Sequence, residues 1–286
     1  MLFLLDTWPL GRAEAGELNA RARWQSPPFD QLAEYAPLFE LSWDDALAEL
    51  NRLAAARLPG GLEFAEQDLA LASDGMSYEQ RIGARGLIAM RRDSLHDLYG
   101  ALMWLQWPQS KWAIHQGQWA GILAVGPKQR TRHQQALTHI DEAGTVVLTE
   151  DRTLIKALQN HDWPGLLIER RDDWSRAEVW VIGHALFELR QTRPYDLQAG
   201  KVIAVLAGEP SWRDLPPQQR LALLDTCVAE GIGGCRAAAD PKDQSTLPLA
   251  AVPAWEPRSA DPAFIASAPC FRPKPAGRIY AGPLRL

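Results

Sequence analysis

Cysteine is scarce in this chain: Cys227, Cys235 and Cys270 are the three in 286 residues. An odd number without framework spacing argues against a secreted disulfide scaffold and fits a reducing compartment. Cys227 and Cys235 also lack the close-spaced partners of a zinc ribbon. Long hydrophobic runs are missing as well. The opening Met1-Leu2-Phe3-Leu4-Leu5 stops at Asp6 with no basic residue before it, which is too short for a secretory leader or a membrane span. Positive charge is not in excess, since 30 Lys and Arg face 35 Asp and Glu for a net charge of −5. The global electrostatic footprint of a nucleic-acid binder is therefore absent. Together these absences predict a cytoplasmic protein whose partners include neither membrane nor nucleic acid. Standard nucleotide and hydrolase signatures are missing too: there is no Gly-x-Gly-x-x-Gly, Walker A loop, Gly-x-Ser-x-Gly elbow or His-Glu-x-x-His.

What is present reads as a folded globular chain, 47% hydrophobic and 23% charged, with twelve tryptophans best suited to core packing. Met1 to about Pro28 reads as an irregular lead-in. Ser42 starts a helix over Trp43–Arg57, stopped by Pro59-Gly60-Gly61. Leu62 to Ala65 suits a short strand, and Ser77 to Ala89 an element broken at Gly83 and Gly86. A buried helix is predicted from Ser94 to Gln106, ended by Pro108, with another from Pro108 to about Trp119. A basic segment from Pro127 leads into a helix reaching Ile140. Asp141-Glu142-Ala143-Gly144 then reads as a turn and Thr145 to Thr149 as a strand.

Arg152 to Gln159 suits a short helix. Ala177 to Arg190 is ambiguous between strand and helix, with one buried helix favoured. Lys201 to Leu206 fits either state, and Pro217 to Glu230 reads as an amphipathic helix closed by Gly231. From Asp240 onward, Pro248, Pro253, Pro257, Pro262, Pro269, Pro273 and Pro275 exclude a helix of any length. That segment should lie extended over the body, anchored by Trp255 and Phe271. The expected architecture is α+β and predominantly α. It has a lead-in over 1–28, a mixed domain over 29–239 with buried central helices and a few short strands, and a wrapping tail over 240–286 that belongs to the same domain.

Three polar sets interrupt the apolar pattern. His96 and Asp97 sit on the helix carrying Leu95, Leu98, Leu102 and Leu105, and Gly100 shares their arc. Glycine is unfavourable inside a helix by about 0.5–1 kcal/mol, so something should approach the backbone there. A buried Asp97 needs a cation or several donors, and Arg85, Arg91, Arg92 and Lys111 are the candidates nearby. The structural alternative is that Asp97 pairs with an arginine and His96 bonds a backbone carbonyl. His184 and Glu188, spaced i, i+4 among apolar neighbours, suit either a metal pair or a carboxylate-oriented base. They equally suit an ordinary helix hydrogen bond. The segment Arg130 to Glu142 offers guanidinium groups for an anion, or simply a solvated basic face.

These segments resemble a bacterial family called domain of unknown function thirty twenty-five. Arg91 through His115 is similar to its Arg-x-x-(Trp/Leu)-His-Asp-Leu-(Phe/Tyr)-Asn-Ala-Leu-x-Trp-Leu-x-(Phe/Trp)-Pro-x-x-Lys run. Arg132 through Gly144 resembles its Ala-Leu-Thr-x-x-Asp-Glu-x-Gly segment, and Gly183 through Glu188 its Gly-His-Ala-x-x-Glu stretch. Pro248 through Pro273 looks like its ending. The departures are Gly100 and His115, where asparagine is expected, and Gln135, where an aspartate usually stands. The resemblance implies a cytoplasmic protein of proteobacterial type and brings no activity with it.

Two functional expectations follow. One is a hydrolase or transferase acting on a small polar or anionic substrate. In it His96, Asp97, His184 and Glu188 carry the chemistry, a divalent metal is an optional cofactor, and Arg91, Lys111, Arg132, Asp141 and Glu142 bind the substrate. The other is a non-catalytic binding or regulatory protein whose buried polar groups are structural. A shared site requires the His96 and His184 side chains to lie within about 12 Å of each other.

Overall fold

The helix over Trp43–Arg57 begins where Ser42 accepts a hydrogen bond from the Asp45 backbone and ends at the predicted residue. It packs on β1 (Glu63–Glu66), which pairs in parallel with β2 (Leu87–Met90). The computed structural model describes residues 20–208 and 210–286. Most of the sequence-predicted lead-in, residues 1–19, lies outside the described residues. Its last part is not wholly irregular, since Ala20–Arg23 forms one helical turn.

The two central helices form as the sequence predicts. Ser94 caps Leu95–Gln106 by accepting from the Asp97 backbone, and Pro108 opens the next helix at its first position. There its missing N–H is no loss. That second helix runs further than its apolar pattern indicates, to Val125. Thr131 and Gln134 then form a reciprocal capping box for Arg132–Ala143. Leu98, Tyr99, Leu102, Trp104 and Trp107 are fully buried between these helices and their neighbours, so tryptophan serves the core as expected.

The larger sheet has the order β4 (Glu178–Val181), β3 (Gly144–Thr149), β5 (Ala199–Leu206), β6 (Thr246–Pro248), with β7 (Leu284–Arg285) also on β5. β3, buried at every position, pairs in parallel with β5 and antiparallel with β4. β6 and β7 both come from the proline-rich segment, which therefore joins the sheet. The fold is α+β and predominantly helical, with small sheets. Among the described residues, no helix is long and apolar enough to cross a membrane.

Four local expectations are corrected. Asp141, Glu142 and Ala143 are the last turn of a helix, because backbone bonding continues until β3 begins at Gly144. The single helix expected over 177–190 divides into β4 and a helix over His184–Thr192. There Val179-Trp180-Val181 finds a ladder partner in β3, and strand propensity prevails. Gly231 does not close the Pro217–Gly233 helix, which runs past it. A six-residue helix forms over Pro262–Ser267 despite the prolines, since Pro262 occupies its first position and Asp261 caps it. Trp255 is a buried anchor as expected, while Phe271 is only half-buried.

One close approach positions the site. A Cβ on Gly183 would lie 2.3 Å from the Gly144 backbone nitrogen and 2.4 Å from that of Ala143. The Gly183 N–H donates to the Gly144 carbonyl at 3.0 Å. Glycine thus lets the start of the His184 helix abut the end of the Glu142 helix.

Candidate functional site

Five helices and β2 surround a cavity of about 400 Å³. Leu95–Gln106 buries its apolar face and turns His96, Asp97, Gly100 and Ala101 toward this space. A Cβ on Gly100 would meet nothing within 4 Å. The glycine therefore opens the cavity, where the sequence reading expected a neighbouring group to approach the backbone. Lys111 enters from Pro108–Val125, Tyr78 and Glu79 from Tyr78–Arg85, and Asp141 and Glu142 from the end of Arg132–Ala143. His184 enters from the first turn of its own helix.

At the centre His96 and His184 are in direct contact. Their Nε2 atoms are 3.0 Å apart, and the rings meet edge-on at 80°. This lies far inside the limit for a shared site. On the other side of its ring, His96 Nδ1 is 2.7 Å from Glu188 Oε2. Glu142 Oε2 lies 3.6 Å from His184 Nε2. His184 Nδ1 is buried and has no hydrogen-bond partner. The His184 ring is therefore held by polar contacts through Nε2 alone.

Each perturbation of proton affinity has a local cause. The hydrogen bond that His96 donates to Glu188 pushes the His96 imidazole above its ordinary value, against the opposing effect of burial. The same bond holds the Glu188 carboxyl below the usual range. Burial lowers the proton affinity of His184, although Asp141 pulls the other way. Burial alone would raise Asp141, but Lys111 and the two imidazoles bring its carboxyl below the usual range. Glu79 is raised by burial, with His115 opposing at 2.5 Å.

The expected site residues separate into those that converge and those that do not. His96, His184, Glu188 and Glu142 form one cluster. Lys111 and Asp141 line the same cavity as a closed ion pair, with the Lys111 ammonium 5.4 Å from the Trp104 ring centre. Asp97 borders the cavity, but its carboxylate accepts from the Arg91 backbone at 2.7 Å and from the Arg91 guanidinium at 2.9 and 2.8 Å. The pairing of Asp97 with an arginine is therefore present, and Arg91 is the partner. The backbone bond expected of His96 is not, since it bonds two side chains and no backbone carbonyl.

Two placements are corrected outright. Glu188 reaches across to His96, 92 residues away in sequence, and not to His184 on its own helix. Helical spacing permits the i, i+4 contact, but His184 turns its Nε2 toward His96 instead. Arg132, expected as an anion clamp, does not line the cavity. It is half-exposed and forms a bidentate pair with Asp240 at 2.8 and 2.7 Å. The neighbouring Arg130 borders the cavity in its place, because Thr131 caps the helix and the two arginines leave it in different directions. Tyr78, Glu79 and His115 were missed as a group. Nothing in Ser77–Ala89 signals that a glutamate there will meet a histidine on another helix.

A family model described as "Protein of unknown function (DUF3025)" matches residues 62–275. That span includes every cluster residue, and the chain belongs to this family. No curated protein and no solved structure matches the chain.

Proposed function

We propose that this member of the DUF3025 family is a hydrolase or transferase whose His96–His184–Glu142 cluster activates a nucleophile against a small polar or anionic substrate held in the cavity. The observation that carries the reading is the direct contact of two imidazoles, 3.0 Å apart, in the wall of a cavity of about 400 Å³. Two histidines and a carboxylate converging on one cavity are the kind of cluster found at functional sites. Glu188 supports the reading by anchoring His96 at Nδ1 and so aiming Nε2 at the cavity. A water molecule or acceptor hydroxyl seated there meets the Glu142 carboxylate and the unprotonated imidazole nitrogen of the pair as proton acceptors. Arg130 at the rim supplies the positive charge for an anionic substrate group.

A panel of p-nitrophenyl esters, phosphomonoesters and phosphodiesters tests this, with and without an added acceptor alcohol. The wild-type chain should release p-nitrophenolate from one class, and His184→Ala should reduce that rate by about 100-fold or more. Equal rates in wild type and a folded His184→Ala protein would sink the proposal.

A second reading has its own support. The Arg91–Asp97 and Lys111–Asp141 pairs are closed, and closed pairs serve the core whether or not the cavity is reactive. On that reading the protein is a non-catalytic binding or regulatory module. Every class in the panel is then inert, while His184→Ala changes stability alone.

A further inference from the structure

We propose that His96 Nε2, His184 Nε2 and the Glu142 carboxylate bind a divalent transition-metal ion of the zinc type, with Glu188 as the outer carboxylate that fixes His96. This names what would activate water in the hydrolase or transferase reading and rests on it only for the use made of the metal. Binding itself is a separate property.

The geometry carries it first. Three ligand atoms, one from each of His96, Glu142 and His184, lie within 4.8 Å of one another. Ligands of tetrahedral zinc at 2.0–2.1 Å stand about 3.3 Å apart. The two measured edges, 3.0 Å between the imidazoles and 3.6 Å from His184 to Glu142, fall on either side of that value. Small side-chain shifts would admit an ion without moving a helix.

Donor chemistry agrees. Two imidazole nitrogens and one carboxylate oxygen form the set that leaves one zinc position open for water or substrate. Here that position faces the cavity, since all three residues line it.

Glu188 supplies the third support. A ligating histidine commonly gives its other ring N–H to a carboxylate, which fixes the tautomer and strengthens the ligand. His96 Nδ1 and Glu188 Oε2 at 2.7 Å have that relationship. His184 provides the last. It is 6% exposed, its Nδ1 has no partner, and Nε2 alone decides where the ring sits. An ion at Nε2 would fix that ring.

The test uses the full chain after chelator treatment, titrated with Zn²⁺ by calorimetry and with Co²⁺ by visible absorption. The expected result is one site per chain and a Co²⁺ spectrum of nitrogen and oxygen ligands without thiolate charge transfer, which sets aside the cysteines. His184→Ala should abolish the site. Glu142→Gln should weaken it, and Glu188→Gln should lower affinity by about 10–100-fold. Glu142 is half-exposed, so its variant reports on binding even where His184→Ala fails to fold. No uptake at micromolar Zn²⁺, or equal uptake by Glu142→Gln and wild type, overturns the proposal. Metal binding without turnover of any ester would leave the site and remove the hydrolase reading. Turnover undiminished by the chelator would do the reverse.

Discussion

His96 and His184 lie 88 residues apart in the chain, yet their Nε2 atoms are 3.0 Å apart. One ring must donate and the other accept, so neither keeps its geometry alone. His184→Ala should destabilise more than His96→Ala, because His184 is almost fully buried while the His96 side chain is 29% exposed. The expected losses are about 2 and about 1 kcal/mol. The double variant should lose less than the sum, with a coupling of about 0.5–1.5 kcal/mol. Urea unfolding of all four proteins measures this, and strict additivity would contradict a working contact.

The Lys111–Asp141 pair predicts a larger effect. Removing the ammonium by Lys111→Met leaves a carboxylate in the cavity wall without its cation, which destabilises by about 3–5 kcal/mol. Replacing both residues by apolar ones of similar volume should restore most of that loss, since a buried pair gains little over good packing. Thermal and urea unfolding of Lys111→Met and the double variant decide it. A double variant as unstable as the single one would show that the pair is not isolated from the remaining charges.

Much of the local structure was legible because short-range chemistry sets it. Ser42, Ser94 and Thr131 cap helices where a hydroxyl precedes an apolar period, and Pro108 separates two helices as proline must. His96, His184 and Glu188 were identifiable as polar interruptions in buried helices. Their pairing was not, because helical spacing points Glu188 at His184 while tertiary packing gives it His96. Arg132 failed for a related reason. Neighbouring arginines leave a helix start in different directions, and only the long-range partner Asp240 shows which one faces away. The strand over Glu178–Val181 also needed its neighbour, since its identity comes from the β3 ladder.

Gly100 gives a prediction that improves the fold and blocks the cavity. Its added Cβ would touch nothing within 4 Å, so Gly100→Ala should stabilise the helix by about 0.5–1 kcal/mol. Gly100→Asn should fold equally well but carry an amide into the cavity. The measurements are melting temperature and rate on any ester that wild type turns over. A destabilised Gly100→Ala protein would show that the space is needed by the backbone and not by a ligand.

The Arg132–Asp240 pair yields a dependence on pH with a definite sign. The bidentate bond from Arg132, helped by the Lys242 backbone N–H, brings the Asp240 carboxyl down to about 2. A carboxyl unfolded in water titrates near 3.9. The folded state therefore holds the proton less tightly than the unfolded one. The contribution of Asp240 to stability is complete above about pH 4 and is lost as pH falls toward 2. In Asp240→Asn that contribution is absent at every pH, so its stability should fall less steeply than wild type between those limits. Because Arg132 is half-exposed, about 1 M salt should narrow the difference by screening. Urea unfolding at several acidic pH values, in low and high salt, provides both slopes. Parallel wild-type and Asp240→Asn curves would mean that the Asp240 carboxyl binds its proton equally well folded and unfolded, so that the pair adds nothing to stability, as with many surface ion pairs.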